Sequence, residues 1–151
     1  MWFRSPSHEA SWVTSLLAVL DSAALYLSLC PRSAPQVPAR LCLRGGLVCF
    51  CEVARSMGIK VPSQPAPDAV ISLTYAEFQD AVDRLREVNF PIEREPEAAW
   101  PHFVGWRVNY EQAAYAIAAE IDAVPALWSG PRRRPAEPMP PLRPRPGVPF
   151  P

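Results

Sequence analysis

Four cysteines and two histidines are the residues whose chemistry would suit metal binding, redox exchange or nucleophilic catalysis. Cys49 and Cys51 are separated by one residue, whereas zinc knuckles and dithiol redox motifs use a gap of two. His8 and His102 lie far apart in the chain and belong to no nucleophile or metal-ligand motif. We therefore predict a non-enzymatic protein with no catalytic residue, no metal site and no cofactor, in which the cysteines are small apolar residues of a helix core.

The segment RGGL has the glycines of a phosphate-binding loop but not its context. It lacks a preceding strand and the glycine spacing that dinucleotide binding requires. The residues around Gly45 and Gly46 instead repeat with a helical period, in which each glycine costs about 1 kcal/mol relative to alanine. We predict that this pair marks a close helix crossing or a kink.

Residues 7–30 are apolar for most of their length and long enough to cross a bilayer, yet Asp21 lies near their middle. Eight Leu or Val residues at about −0.3 to −0.6 kcal/mol each favour insertion by roughly 4 kcal/mol, and a central Asp removes about 3 kcal/mol of it. Apolar residues also fill only one half of the helical wheel. These facts favour a packed helix that begins at Ser5 or Ser7, ends before Pro31 and carries Asp21 on its polar face; a functional intramembrane carboxylate is the alternative.

A row of small residues on the same helix would let another helix approach closely, so contact with a neighbouring subunit is a second hypothesis for this segment. The row consists of Ser11, Ser15, Ala18 and Ser22.

Three further helices are predicted from apolar periodicity and end signals. The second covers residues 37–58, the third follows a capping box of Thr74 and Glu77, and the fourth runs from about residue 97 to 123. We predict an all-α fold in which four main helices form an irregular bundle over residues 1–130.

Charge and proline content divide the chain. Its 15 basic and 15 acidic residues cancel, so there is no overall attraction to nucleic acid, and we predict no nucleic-acid partner. Residues 60–130 are acidic, whereas residues 131–151 hold five arginines, one glutamate and too little apolar material to pack. We predict that 131–151 is a disordered tail that either remains solvated, offers a P-x-x-P-x-R motif to a proline-recognition groove, or contacts anionic lipid. The candidate contact residues are Arg132, Arg133, Arg134, Pro138, Pro141 and Arg143.

A family resemblance covers roughly residues 2–134. The segments that carry it are WFRSPSHEASWVTSLLAVLDSAALYL, ARLCLRGG, LTYAEF, RLREVNFPIE and GWRVNYEQAAYAIAAEIDAVPALWSGPRR. Together they resemble the cytosolic C-terminal region of bacterial two-transmembrane ion-channel proteins of the potassium-channel-like class. The resemblance implies a helical domain beneath a pore, in a homo-oligomer assembled through that pore.

This sequence departs from the family in containing neither a T-x-G-Y-G-type selectivity filter nor a pair of spans. No pore-lining residue is therefore carried over, and the chain would not conduct ions by itself. The expected function is a non-catalytic assembly or regulatory domain at the cytoplasmic face of the cell membrane, with the pore encoded elsewhere in a longer protein. A free-standing cytoplasmic interaction module with a polyproline tail is the alternative.

Overall fold

The computed structural model describes residues 11–62, 64–66 and 69–131, and over these residues the protein consists of five helices without a strand. The helices are α1 Trp12–Leu29, α2 Gln36–Ser56, α3 Tyr75–Glu87, α4 Pro96–Arg107 and α5 Glu111–Glu120. The all-α prediction is confirmed, and the predicted four main helices are roughly compatible with these five, because the fourth predicted helix is divided in two. The proposed helix starts at Ser5 and Ser7, and the tail beyond Pro131, lie outside the described residues.

Helix α1 is the central element, because it contacts α2, α4 and α5. It is the one helix of the described residues that is long and apolar enough to cross a membrane by length and composition, a test that buried core helices also pass. Asp21, which the helical wheel placed on the polar face, is buried, and so are Thr14 and Ser28 on the same side of the helix. The prediction that Asp21 lies on a polar face is therefore wrong, since that side of α1 packs against other helices instead of water.

Helices α1 and α2 form an antiparallel pair with a close crossing. Trp12 at the start of α1 contacts Phe50 near the end of α2, with ring centroids 6.5 Å apart. At the crossing Gly46 is buried, and a Cβ atom placed on it would lie only 2.4 Å from a terminal methyl of Leu20. A Cβ atom placed on Gly45 would have no other atom within 4 Å. Of the two glycines, Gly46 is thus the one that the crossing requires.

The connection between α3 and α4 donates hydrogen bonds to the C-terminal end of α1. The Leu29 carbonyl accepts hydrogen bonds from the backbone N–H groups of Glu93 and Arg94, at 2.9 and 3.0 Å. The Glu93 carboxylate in turn accepts from the backbone N–H groups of Arg32 and Ser33, at 2.7 and 3.1 Å. These bonds lower the pKa of Glu93 below its ordinary value. One glutamate thereby fastens the turn between α1 and α2 to the rest of the bundle.

Helix α3 begins with the predicted capping box and is held by an aromatic cluster. The Thr74 hydroxyl accepts from the Glu77 backbone N–H, and the Glu77 carboxylate accepts from the Thr74 backbone N–H. Phe78 lies one turn further along and is fully buried. Its ring centroid is 5.2 Å from those of both Trp100 and Phe103 on α4. Cap and cluster together fix the start of α3 against α4.

The fourth predicted helix is broken into α4 and α5 at residues 108–110. The side-chain amide of Asn109 donates to the carbonyls of Gly105 and Trp106, at 2.8 and 3.0 Å. An asparagine side chain that takes the last carbonyls of a helix competes with continuation of the backbone ladder. The apolar period continues across the break, which is why the periodicity by itself predicted a single helix.

We predict opposite effects of the same substitution at the two adjacent glycines. Gly46→Ala should lower the free energy of unfolding by about 1–3 kcal/mol, because the added methyl overlaps Leu20 in a packed crossing. Gly45→Ala should raise it by up to about 1 kcal/mol, because alanine loses less backbone entropy in a helix. Urea denaturation followed by circular dichroism measures both. Equal effects at the two positions would contradict the close crossing.

The hydrogen bonds of Glu93 predict a pH-dependent contribution to stability. Because its pKa in the fold lies below the ordinary value of 4.5, the stabilisation is fully present above that pH and is lost as the pH falls through the lower pKa. The difference in unfolding free energy between the wild type and Glu93→Gln should therefore narrow below about pH 4.5. Glu87→Gln, on an exposed residue of α3, controls for the loss of one charge. A difference that is constant with pH would refute this role.

Candidate functional site: a buried arginine cluster

The most unusual chemistry of the fold surrounds Arg107, whose side chain is 0% exposed at the end of α4. Its Nη1 donates to Asp21 at 2.5 Å, and its Nε donates to Glu111 at 2.6 Å. Its Nη2 donates to the Tyr115 hydroxyl at 2.9 Å and to the Trp128 carbonyl at 2.7 Å. We call Asp21, Arg107, Tyr110, Glu111 and Tyr115 the arginine cluster. The guanidinium is thus hydrogen-bonded on every nitrogen.

The two carboxylates of the cluster have further donors. The Tyr110 hydroxyl donates to the second oxygen of Asp21 at 2.8 Å. The Ser72 backbone N–H donates to the second oxygen of Glu111 at 2.5 Å. Through these bonds one arginine joins α1, α4 and α5 to the connection before α3 and to the segment after α5.

The electrostatics of the cluster are governed by burial. Burial raises the pKa of the Asp21 carboxyl, and the Arg107 charge and the Tyr110 hydrogen bond offset only part of that rise. Burial opposes the charge of Arg107, but the neighbouring Asp21 and Glu111 outweigh it, so the pKa of Arg107 lies above its ordinary value. Burial and the Asp21 charge also raise the pKa of Tyr110, which keeps its hydroxyl protonated as a donor. The stability that Asp21 contributes therefore declines as the pH rises from 3.8 through its raised pKa.

A cavity of about 450 Å³ adjoins the cluster, between the connection 62–72 and the start of α5. Glu111 and Tyr115 form part of its wall, and the rest is mostly apolar. Both oxygens of Glu111 already accept hydrogen bonds, from Ser72 and Arg107. The described residues of the lining include neither histidine nor cysteine. The cavity has space for a small group that is mostly apolar.

The cysteines and His102 lie apart from the cluster. Cys30 is buried, Cys42 and Cys51 are half-buried, and Cys49 is exposed, so the interpretation as core cysteines fails for Cys49. His102 is exposed on α4, and His8 lies outside the described residues. Over the described ranges, no group of three or more His, Cys, Asp or Glu side chains is placed to hold a metal ion.

The predicted interface row on α1 does not form one surface. Ser11 is buried, and its hydroxyl has no hydrogen-bond partner within the described part of the chain. Ser15, Ala18 and Ser22 are exposed and lie along the outer side of the helix. Contact of these three with another subunit stays a prediction. The tail residues Arg132, Arg133, Arg134, Pro138, Pro141 and Arg143 lie outside the described residues.

Sequence reasoning missed Arg107, Glu111 and Tyr115. The signal that was present is the pairing of Arg107 with Glu111 four residues later, within a run whose Trp106 and Tyr110 follow the apolar period of the core. A charged pair at these positions fits two structures: the ion pair is buried in the core, or this side of the helix is exposed to water. Only the position of Asp21, 86 residues earlier in the chain, distinguishes the two.

We predict that Arg107→Met lowers the free energy of unfolding by about 3–5 kcal/mol, because it leaves two buried carboxylates without their cation. Tyr115→Phe should cost only about 1 kcal/mol, since the same guanidinium nitrogen keeps the Trp128 carbonyl. Arg86→Met, which removes an exposed ion-paired arginine, is the matched control and should cost less than about 1 kcal/mol. Urea denaturation of the three variants tests this order. An Arg107→Met variant as stable as the Arg86→Met control would disprove the claim that the arginine cluster stabilises the fold.

Comparison with known proteins identifies no relative of this chain. No protein-family model matches it, and no curated protein and no solved structure matches it. The resemblance to channel domains rests on the sequence motifs that carry it. The fold and the arginine cluster are therefore the physical basis on which a function can be proposed.

Proposed function

We propose that the chain is a non-catalytic assembly or regulatory domain of a potassium-channel-like membrane protein, acting at the cytoplasmic face of the membrane. One observation carries the proposal: the arginine cluster ties α1, the first described helix, to α4 and α5 by charged hydrogen bonds of 2.5–2.8 Å. A domain fixed in this way moves as one body when its first helix is displaced. Such rigidity suits a part that transmits or receives a mechanical displacement.

In this role the domain works through contacts between copies in a homo-oligomer held together by the pore region. The contacts favour one arrangement of the pore over another, and a signal acts by binding one arrangement more tightly. The sequence resemblance supports this role, and the central position of α1 agrees with it. Because α1 contacts three other helices, a force applied at its start reaches most of the bundle.

A non-catalytic role is supported by how the buried ionisable groups are used. Asp21 and Glu111 hold Arg107, and the Tyr110 and Tyr115 hydroxyls complete the same network. A general acid or base must reach a substrate proton within hydrogen-bond distance. Groups that are committed to one another in this way serve as structural supports.

A free-standing interaction module is the second candidate function. It is favoured by the P-x-x-P-x-R pattern of residues 138–143, a form that proline-recognition grooves accept as a polyproline II helix. In this alternative the helical bundle is a carrier, and residues 131–151 bind the partner.

The genomic sequence upstream of the Met1 codon, read in the same frame, separates the two functions. We expect two apolar stretches of about 20 residues that flank a selectivity loop, which would make this chain the cytoplasmic part of a channel. A stop codon directly before a functional start would overturn the channel proposal and leave the interaction module.

A pull-down with immobilised proline-recognition domains tests the module directly. If the tail binds such a groove, Pro138→Ala combined with Pro141→Ala should abolish capture of the chain. Pro125→Ala, outside the motif, is the matched control and should leave capture unchanged. Equal capture of all three proteins would rule out this tail motif as the binding element.

A further inference from the structure

The outer side of α2 carries an exposed row of apolar and basic residues that the bundle does not use. The row recurs at intervals of three or four residues, with the exposed acidic residue Glu52 between Val48 and Arg55, so its members lie on one side of the helix, away from α1. Its apolar members Val37, Leu41 and Val48 are 68%, 62% and 48% exposed. Its basic members Arg44 and Arg55 are exposed and take part in no ion pair within the described residues. We call these five residues the α2 outer face.

The charges of the molecule are strongly divided between this side and the rest. Residues 12–57 contain four arginines, one exposed glutamate, Glu52, and one buried aspartate, Asp21. Residues 69–131 contain ten acidic and only four basic residues. The exposed part of α1, which includes Ser15, Ala18 and Val19, carries no charge. Over the described residues, the helix pair is therefore the positive side of the molecule and residues 69–131 form the negative side.

We propose that the α2 outer face docks on the surface of an anionic lipid membrane. Val and Leu side chains that alternate with arginines match a helix lying in the bilayer interface, where apolar ends enter the acyl boundary and guanidinium groups reach phosphates. The row from Val37 to Arg55 spans about 27 Å at 1.5 Å per residue, so a whole helix length faces the lipid. Repulsion of the acidic helices from the same surface holds the molecule in this orientation.

The charges favour lipid over a second copy of the chain. Two α2 outer faces brought together would place Arg44 and Arg55 of each copy against like charges, with only Glu52 available to compensate. An anionic bilayer instead offers a phosphate to every arginine. This inference goes beyond the proposed function, because it holds for a channel domain and for a free-standing protein alike.

The test is co-sedimentation of the full chain with vesicles of phosphatidylcholine containing phosphatidylglycerol, compared with phosphatidylcholine alone. We expect binding to the anionic vesicles only, weakening as salt is added. Arg44→Gln combined with Arg55→Gln should lower the partition coefficient by on the order of fivefold per arginine, since each basic residue near the surface contributes at that scale. The matched control is Arg84→Gln combined with Arg86→Gln on α3, which removes the same charge from the acidic side and should leave binding unchanged.

Three further measurements make the proposal refutable. Leu41→Ser should weaken binding, whereas Val88→Ser, at a comparably exposed site on the other side, should not. Circular dichroism of each variant confirms that it remains folded. The proposal is overturned if the two arginine pairs lose binding equally, or if Arg44→Gln with Arg55→Gln binds like the wild type while changing the tail arginines to glutamine abolishes binding. It is also overturned if the chain does not bind the anionic vesicles, whether this face is then found to mediate self-association in sedimentation equilibrium, to bind an acidic protein or to bind nothing.

Discussion

The fold depends on one constraint, which is that a fully buried guanidinium must be paired. Leaving an ionised group unpaired in the interior costs several kcal/mol, so Arg107 is tolerated only where carboxylates and carbonyls reach it from several directions. Asp21 and Glu111 supply the negative charge. The Tyr115 hydroxyl and the Trp128 carbonyl accept the remaining hydrogen bonds of the guanidinium. The relative positions of α1, α4 and α5 follow from this requirement. Displacing any of the three would expose an unpaired charge to the core.

Around the arginine cluster, the rest of the bundle is held by short-range packing and by hydrogen bonds to the helix ends. Gly46 allows α2 to approach Leu20 on α1, and Phe78 brings α3 onto α4. The carbonyl end of α1 is closed by backbone donors from Glu93 and Arg94, which lie far away in the sequence. Each of these contacts between the helices has its own local cause.

This organisation separates an inert interior from an outer surface available for binding. The buried ionisable groups are occupied with one another, whereas α2 exposes Val37, Leu41 and Val48 beside Arg44 and Arg55. The proposed channel-domain function and the proposed lipid contact both use the molecule in this way, although they rest on different residues.

Local sequence was enough to predict most of the helices and several of their ends, because capping residues and apolar period act over a few positions. The capping box at Thr74 and the end of the second helix near residue 58 were predictable for that reason. The break at Asn109 also has a local cause, which the continuous apolar period hides. The burial of Asp21, in contrast, follows only from the tertiary structure. A helical wheel shows which residues share a side but not how many sides are covered, and α1 is covered by three other helices. The partner of Asp21 is 86 residues away, so only the folded chain brings the charges together.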